Sequence, residues 1–175
     1  RSMDVARGPK MPSLCPARQC GPCTVMILVT DVSYGADRAV AAGLMLDSWT
    51  DTTAIASFTA SIASPADYEP GAFYKRELPC LMALLDRLPS RPRTIVIDGF
   101  VTLGADARPG LGAHLFNALD GRCTVVGVAK SFFPGTPDAC ALRRGTSLNP
   151  LFVTARGVAL DTARRNVAAM HGPHR

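Results

Sequence analysis

No apolar run in this sequence reaches the roughly 18 residues that a membrane-crossing helix requires, and no signal peptide is visible at its start. A membrane is therefore not expected as a partner, and nothing calls for an obligate protein partner. There is no internal repeat and no long low-complexity segment, which argues against a solenoid and against a fibrous chain. Charged residues are scarce at 19% while apolar residues make up 47% of the 175 positions, so the chain is globular and not disordered. Aromatic residues are few, at 6%. The net charge of +5 is mild and permits a polyanionic partner without requiring one.

Paired metal ligands are also missing. Cys15, Cys20 and Cys23 form a C-x4-C-x2-C cluster, while Cys80, Cys123 and Cys140 are scattered. A zinc site of this kind normally shows a second close cysteine pair or two spaced histidines, and His114, His171 and His174 do not supply them. The expectation is free thiols in a reducing, cytoplasmic setting. A metal or disulfide confined to the N-terminal segment is the alternative.

What is present is a regular alternation of apolar segments. Residues 1–22, rich in Pro, Gly, Cys and Arg, read as a loose leader, and residues 23–175 as one domain. Strands are expected at 24–30, about 38–47 and about 52–62, with gaps short enough for an antiparallel meander. A helical stretch then runs to about residue 88, marked by Leu81, Leu84, Leu85 and Leu88. Pro79 either sits in its first turn or kinks it. Strands at 94–99 and 123–129, a possible strand at 150–155, and helices at about 109–119 and 159–170 complete the order. This predicts an α/β fold: a mixed central sheet, meander first and parallel strands after, flanked by helices in three layers.

Two apolar strands run into a carboxylate, VMILVT into Asp31 and TIVI into Asp98. Open α/β sheets bind ligands at the carboxyl ends of their strands, so two parallel neighbours would project both acids from one edge. Glu77 precedes Leu81, Leu84 and Leu88 by four, seven and eleven residues, which places it on the same helix face. A carboxylate there is costly unless paired or metal-bound, and three converging carboxylates repel one another. A divalent cation removes the conflict, and carboxylate oxygens suit Mg²⁺ or Mn²⁺. Singly, each acid has a plainer reading: a turn-former or cap for an Asp after a strand, a dipole-favoured residue for a Glu early in a helix.

Four short motifs occur in order around these acids. They are Asp31-Val32-Ser33-Tyr34, then Tyr68-Glu69-Pro70-Gly71 leading to Arg76-Glu77-Leu78-Pro79, then Val96-Ile97-Asp98-Gly99, then Gly127-Val128-Ala129-Lys130. Together they resemble the endonuclease V family, over roughly residues 24–165. The resemblance implies a ribonuclease H-like fold and a Mg²⁺-dependent endonuclease that recognises inosine in nucleic acid, in DNA repair or on RNA. It implies a cut one nucleotide beyond the lesion on the 3′ side. Asp31, Glu77 and Asp98 would then be metal ligands, and Lys130 would complete the catalytic group by contacting phosphate. Tyr68, with Pro70 and Gly71, would belong to a wedge that parts strands and stacks on bases, and Arg108 and His114 would be further nucleic-acid contacts. On their residue types alone, Lys130 reads equally as a surface lysine, Tyr68 as a loop residue and His114 as a structural histidine.

Two stretches depart from the family pattern. The loop FVTLGADARPGLGAHLF, after Asp98-Gly99, lacks the family's first histidine, and Gly104 to Asp106 occupy its neighbourhood. Asp106 is a candidate substitute. Val153 to Gly157 lacks the later family histidine, leaving Asp161 as the nearby acid, either a late site member or a helix-start Asp. These departures keep two alternatives open: a nucleic-acid-binding protein of the same fold with reduced or lost catalysis, and a nuclease with a non-inosine substrate.

Overall fold

The computed structural model describes residues 26–35, 37–63 and 72–173. The expected leader and the Tyr68-Pro70-Gly71 segment lie outside these residues, as do Cys15, Cys20 and Cys23. Nine strands and three helices follow in order: β1 Ile27–Tyr34, β2 Arg38–Leu46, β3 Ala56–Ala63, α1 Phe73–Leu85, β4 Thr94–Asp98, β5 Thr102–Leu103, β6 Arg108–Pro109, α2 Leu111–Ala118, β7 Thr124–Ala129, β8 Ala141–Leu142, β9 Leu151–Arg156 and α3 Leu160–Ala169. A 3₁₀ turn at Asp138–Cys140 leads into β8.

Seven strands form one sheet in the order β3-β2-β1-β4-β7-β9-β8. The first three make the expected antiparallel meander, and β1, β4 and β7 run parallel. The last two strands depart from the expected parallel half: β9 runs antiparallel to β7, and β8 antiparallel to β9. β7 and β9 are joined by a loop carrying β8, with no crossover helix, so the chain returns in the opposite direction. The strands β5 and β6 pair only with each other, as a small hairpin standing off the main sheet.

Alternation along the strands sorts the core into two faces. Ile95, Ile97 and Val125 pack with Leu81 of α1 and Leu115 of α2, and Leu28 packs with Cys80 and Leu84 of α1. On the other face Ile27, Val96, Val126 and Val153 pack with Val167 of α3. The central strand β4 is therefore buried on both sides, which is why TIVI reads as an unbroken apolar run.

Three expected boundaries shift, each for a local reason. β1 does not stop at Asp31 but continues to Tyr34, because its hairpin with β2 pairs every residue from Ile27 to Tyr34. β3 begins at Ala56, not near residue 52, because the Asp51 carboxylate accepts the N–H groups of Asp47 and Ser48, both at 2.9 Å, and closes a turn there. α1 ends at Leu85, short of residue 88, and carries Pro79 in its interior instead of its first turn. Among the described residues no helix is long and apolar enough to cross a membrane.

Candidate active site

The sheet forks where the two strand acids stand. β1 and β4 pair in parallel only through Val29 and Val96. Beyond that point the Thr30 hydroxyl donates to the Val96 carbonyl at 2.9 Å, and β1 stays with β2 while β4 stays with β7. Asp31 and Asp98 each follow two residues after the last parallel pair, so they occupy equivalent positions on either side of the fork. Asp31 is exposed, and its carboxylate accepts the Val32 N–H at 3.0 Å.

Glu77 reaches the same edge from α1. It is only 7% exposed, on the helix face that also buries Cys80, Leu81 and Leu84. Its pKa is pushed up to about 7, first by burial, then by the charges of Asp98 and Asp31. The three acids that the sequence singles out therefore share one electrostatic site. They do not form a closed cage: among the described residues, no three carboxylate, histidine or cysteine side chains gather tightly enough to hold one ion. Asp31 and Asp98 share the strand parity of Val29 and Val96, which face α3, whereas Glu77 comes from α1 on the opposite face. Like charges also resist closer approach.

Basic and aromatic groups complete the edge. Lys130 follows β7 and sets its Nζ 3.8 Å from Asp98 Oδ2. The Arg76 guanidinium lies 3.8 Å over the Tyr34 ring. The Tyr34 hydroxyl is buried with no partner of hydrogen-bonding geometry, and burial followed by the charge of Glu77 raises its pKa well above the usual phenol range. The Tyr34 hydroxyl and the Glu77 carboxyl are thus buried close together at this edge.

A cavity of about 680 Å³ opens directly against Asp98 and Lys130. Its walls are mainly aromatic and apolar, with Phe73 and Tyr74 of α1, Phe100 after β4 and Phe133 after β7. Phe100 and Phe133 meet at a tilt, 6.1 Å between centroids. The loop from Gly99 to Val101 reaches this wall by crossing β7 at Gly127, where a Cβ would stand 2.5 Å from the Gly99 carbonyl oxygen. The Val101 N–H then donates to the buried Thr154 hydroxyl of β9 at 2.8 Å.

The remaining expected residues fall at different distances from this edge. His114 stacks on Tyr74, 3.6 Å between centroids and 13° from parallel, so it stands behind the cavity wall. Arg108 lies on the β5–β6 hairpin, paired with Asp106 at 3.2 Å, and Asp106 is thereby committed to an exposed turn, not to the carboxylate group. Asp161 pairs with Arg164, whose guanidinium also binds the Ala141 carbonyl on β8, three strands from β4. It is not a late member of the site. Sequence reading missed the roles of Tyr34 and Arg76 and the aromatic wall. The signals for that wall were Phe73-Tyr74 before Glu77, Phe100 directly after Asp98-Gly99, and Phe133 shortly after Lys130.

A model of the endonuclease V family matches residues 16–171. The chain belongs to the endonuclease V family. It is similar to the endonuclease V of Streptomyces avermitilis, 34% identical over 177 residues, covering 88% of this chain and 75% of that protein. The crystal structure of the same relative superposes with a TM-score of 0.67 at 32% identity over the same shares of the two chains. The endonuclease V of Streptomyces coelicolor is 37% identical over 139 residues, covering 78% of this chain but 58% of its own length. In fold, the chain also resembles the endonuclease V of Ciona intestinalis, with a TM-score of 0.61 at 20% identity, covering 82% of this chain and 76% of that one. The Ciona protein was solved in complex with a 24mer DNA containing an inosine followed by a ribo-adenosine. The fold is the ribonuclease H-like fold of these endonuclease V structures.

Proposed function

We propose that this endonuclease V family member is a metal-dependent endonuclease that hydrolyses a phosphodiester of DNA or RNA beside inosine or another modified base. One observation carries this reading: buried Glu77 feels the charges of Asp98 and Asp31 at one sheet edge, and Asp98 of that group also borders a largely aromatic and apolar cavity. The Ciona relative's complex with inosine-containing DNA supports the choice of ligand. Residues 23–175 would act as one domain, and the buried, unpaired Cys80, Cys123 and Cys140 are in keeping with a reducing cytoplasm.

The donor chemistry fits Mg²⁺, with Mn²⁺ as a substitute: oxygen donors only, from Asp31, Glu77 and Asp98, and a burial conflict at Glu77 that a cation relieves. Such an ion, when bound, would supply charge neutralisation and acidify water at the scissile phosphate. The chain's own groups do the rest. Lys130 holds a phosphate at the mouth of the cavity. Phe73, Tyr74, Phe100 and Phe133 receive an extruded base and exclude water from its faces.

Incubation with inosine-containing single-stranded DNA and RNA, with Mg²⁺ or Mn²⁺, tests the reading. Cleavage that disappears in Asp31→Ala and Asp98→Ala is expected. No cleavage in any combination, or cleavage untouched by both substitutions, rejects it. Equal cleavage of strands lacking inosine would keep the nuclease and reject the base preference. The open arrangement of the carboxylates favours a second reading, a nucleic-acid-binding protein with lost catalysis. Mn²⁺ titration separates the two: an intact site binds the ion and Asp98→Ala abolishes that binding, whereas a decayed site shows neither.

A further inference from the structure

The loop after β7 places an exposed aromatic ring next to the candidate phosphate-binding lysine. Ser131 and Phe133 line the cavity beside Asp98, but Phe132 between them is no part of its wall. Phe132 is instead 59% exposed, which is unusual for a phenylalanine. It has an aromatic neighbour. Phe152 of β9 meets the ring edge-on, at 5.6 Å and 62°, and so props it without covering it in a parallel stack. Phe152 is itself held in the sheet, paired with Ala129 at the end of β7.

We infer that Phe132 is a stacking platform for a nucleobase adjacent to the one that enters the cavity. The inference deepens the nucleic-acid reading above and rests on it. Single-strand binding sites combine a backbone-tracking positive charge with exposed aromatic rings, because every base offers a π-face whatever its identity. Here the charge is Lys130 and the ring is two residues further along the same loop. Lys130 also contributes to the cavity wall, so a strand whose phosphate lies at Lys130 has one base directed to the cavity and a neighbour on the Phe132 side. Phe132 thus reads a flanking position by stacking, which gives grip with little sequence preference.

The test uses the full chain in EDTA, so that no strand is cut, with a single-stranded DNA carrying inosine and 2-aminopurine one nucleotide to either side. Wild-type binding is expected to quench the 2-aminopurine at one of the two positions. Phe132→Ala should abolish that quenching and weaken binding about 5- to 140-fold. Phe132→Trp should retain both. Phe132→Leu keeps apolar bulk without a π-face, so it should fold and melt like wild type yet behave like Phe132→Ala in quenching. Unchanged quenching and affinity in the alanine and leucine proteins overturn the platform. A wild-type protein that binds no strand at all overturns the nucleic-acid reading first, and the platform with it.

Discussion

The Nζ of Lys130 stands 3.8 Å from Asp98 Oδ2, one residue just past β7 and the other at the end of its parallel neighbour β4. Both side chains are more than half exposed, at 66% and 51%, so solvent screening keeps the pair weak. Lys130→Ala is expected to weaken strand binding across all sequences. It should also flatten the slope of log affinity against log salt by roughly 0.7 to 0.9, the share of one phosphate contact. Fluorescence anisotropy at several salt concentrations reads this directly. An unchanged slope would remove Lys130 from the phosphate path.

Glu77 makes the stability of the metal-free protein depend on pH in an unusual direction. Its folded pKa, about 7, lies above the ordinary 4.5, so the folded state holds this proton more tightly than the unfolded state does. Its contribution is fully present below about pH 4.5 and is lost as the pH rises through 7. Glu77→Gln should flatten this dependence and exceed wild type at pH 8 by up to about 3 kcal/mol. Urea unfolding at pH 5 and pH 8 in EDTA measures the difference. A wild type that gains stability over glutamine between those values would contradict the assignment.

Gly127→Ala should be costly although the substitution adds a single methyl group. Its Cβ would meet the Gly99 carbonyl oxygen at 2.5 Å and the Val101 nitrogen and Thr154 hydroxyl at 2.9 Å. Two of these are backbone atoms, so the crossing loop has to shift. Overpacking of this kind typically costs about 1–3 kcal/mol. A melting temperature within experimental error of wild type would show that the loop yields freely.

Thr154→Val should cost a similar amount by a different route. The valine keeps the shape of the side chain but leaves the buried Val101 N–H without its 2.8 Å acceptor. An unsatisfied buried donor costs about 1–3 kcal/mol. Thr154→Ser retains the acceptor and should lie close to wild type in chemical denaturation. Equal losses for valine and serine would shift the cause from the hydrogen bond to the missing methyl group.

Much of this site was legible where one local signal fixed both position and environment. Glu77 shares helical spacing with Leu81 and Leu84, and that spacing alone puts a carboxylate on a buried face. Asp98 closes an apolar run that only a doubly covered central strand produces. Pairing partners and chain direction were less legible. Nothing within DVSY announces that β2 will carry β1 beyond Asp31, and nothing within LFVTAR announces an antiparallel return. The aromatic wall is drawn from three separate stretches, so no single window of sequence displays it. The stacking of His114 on Tyr74 was not legible either, because that contact is decided by the packing of α2 on α1.

The parting of β1 from β4 after Val29 and Val96 makes this edge a seam between two halves of the molecule. Asp31 travels with the meander, while Asp98 and Lys130 travel with the parallel half. The lower part of the seam is stitched by backbone, and its open end has only side chains to close it. Whatever is gripped between Asp31 and Asp98 fastens the two halves together. Ligand occupancy should therefore be felt as slower amide exchange along the whole length of β1 and β4, far below the residues that touch the ligand.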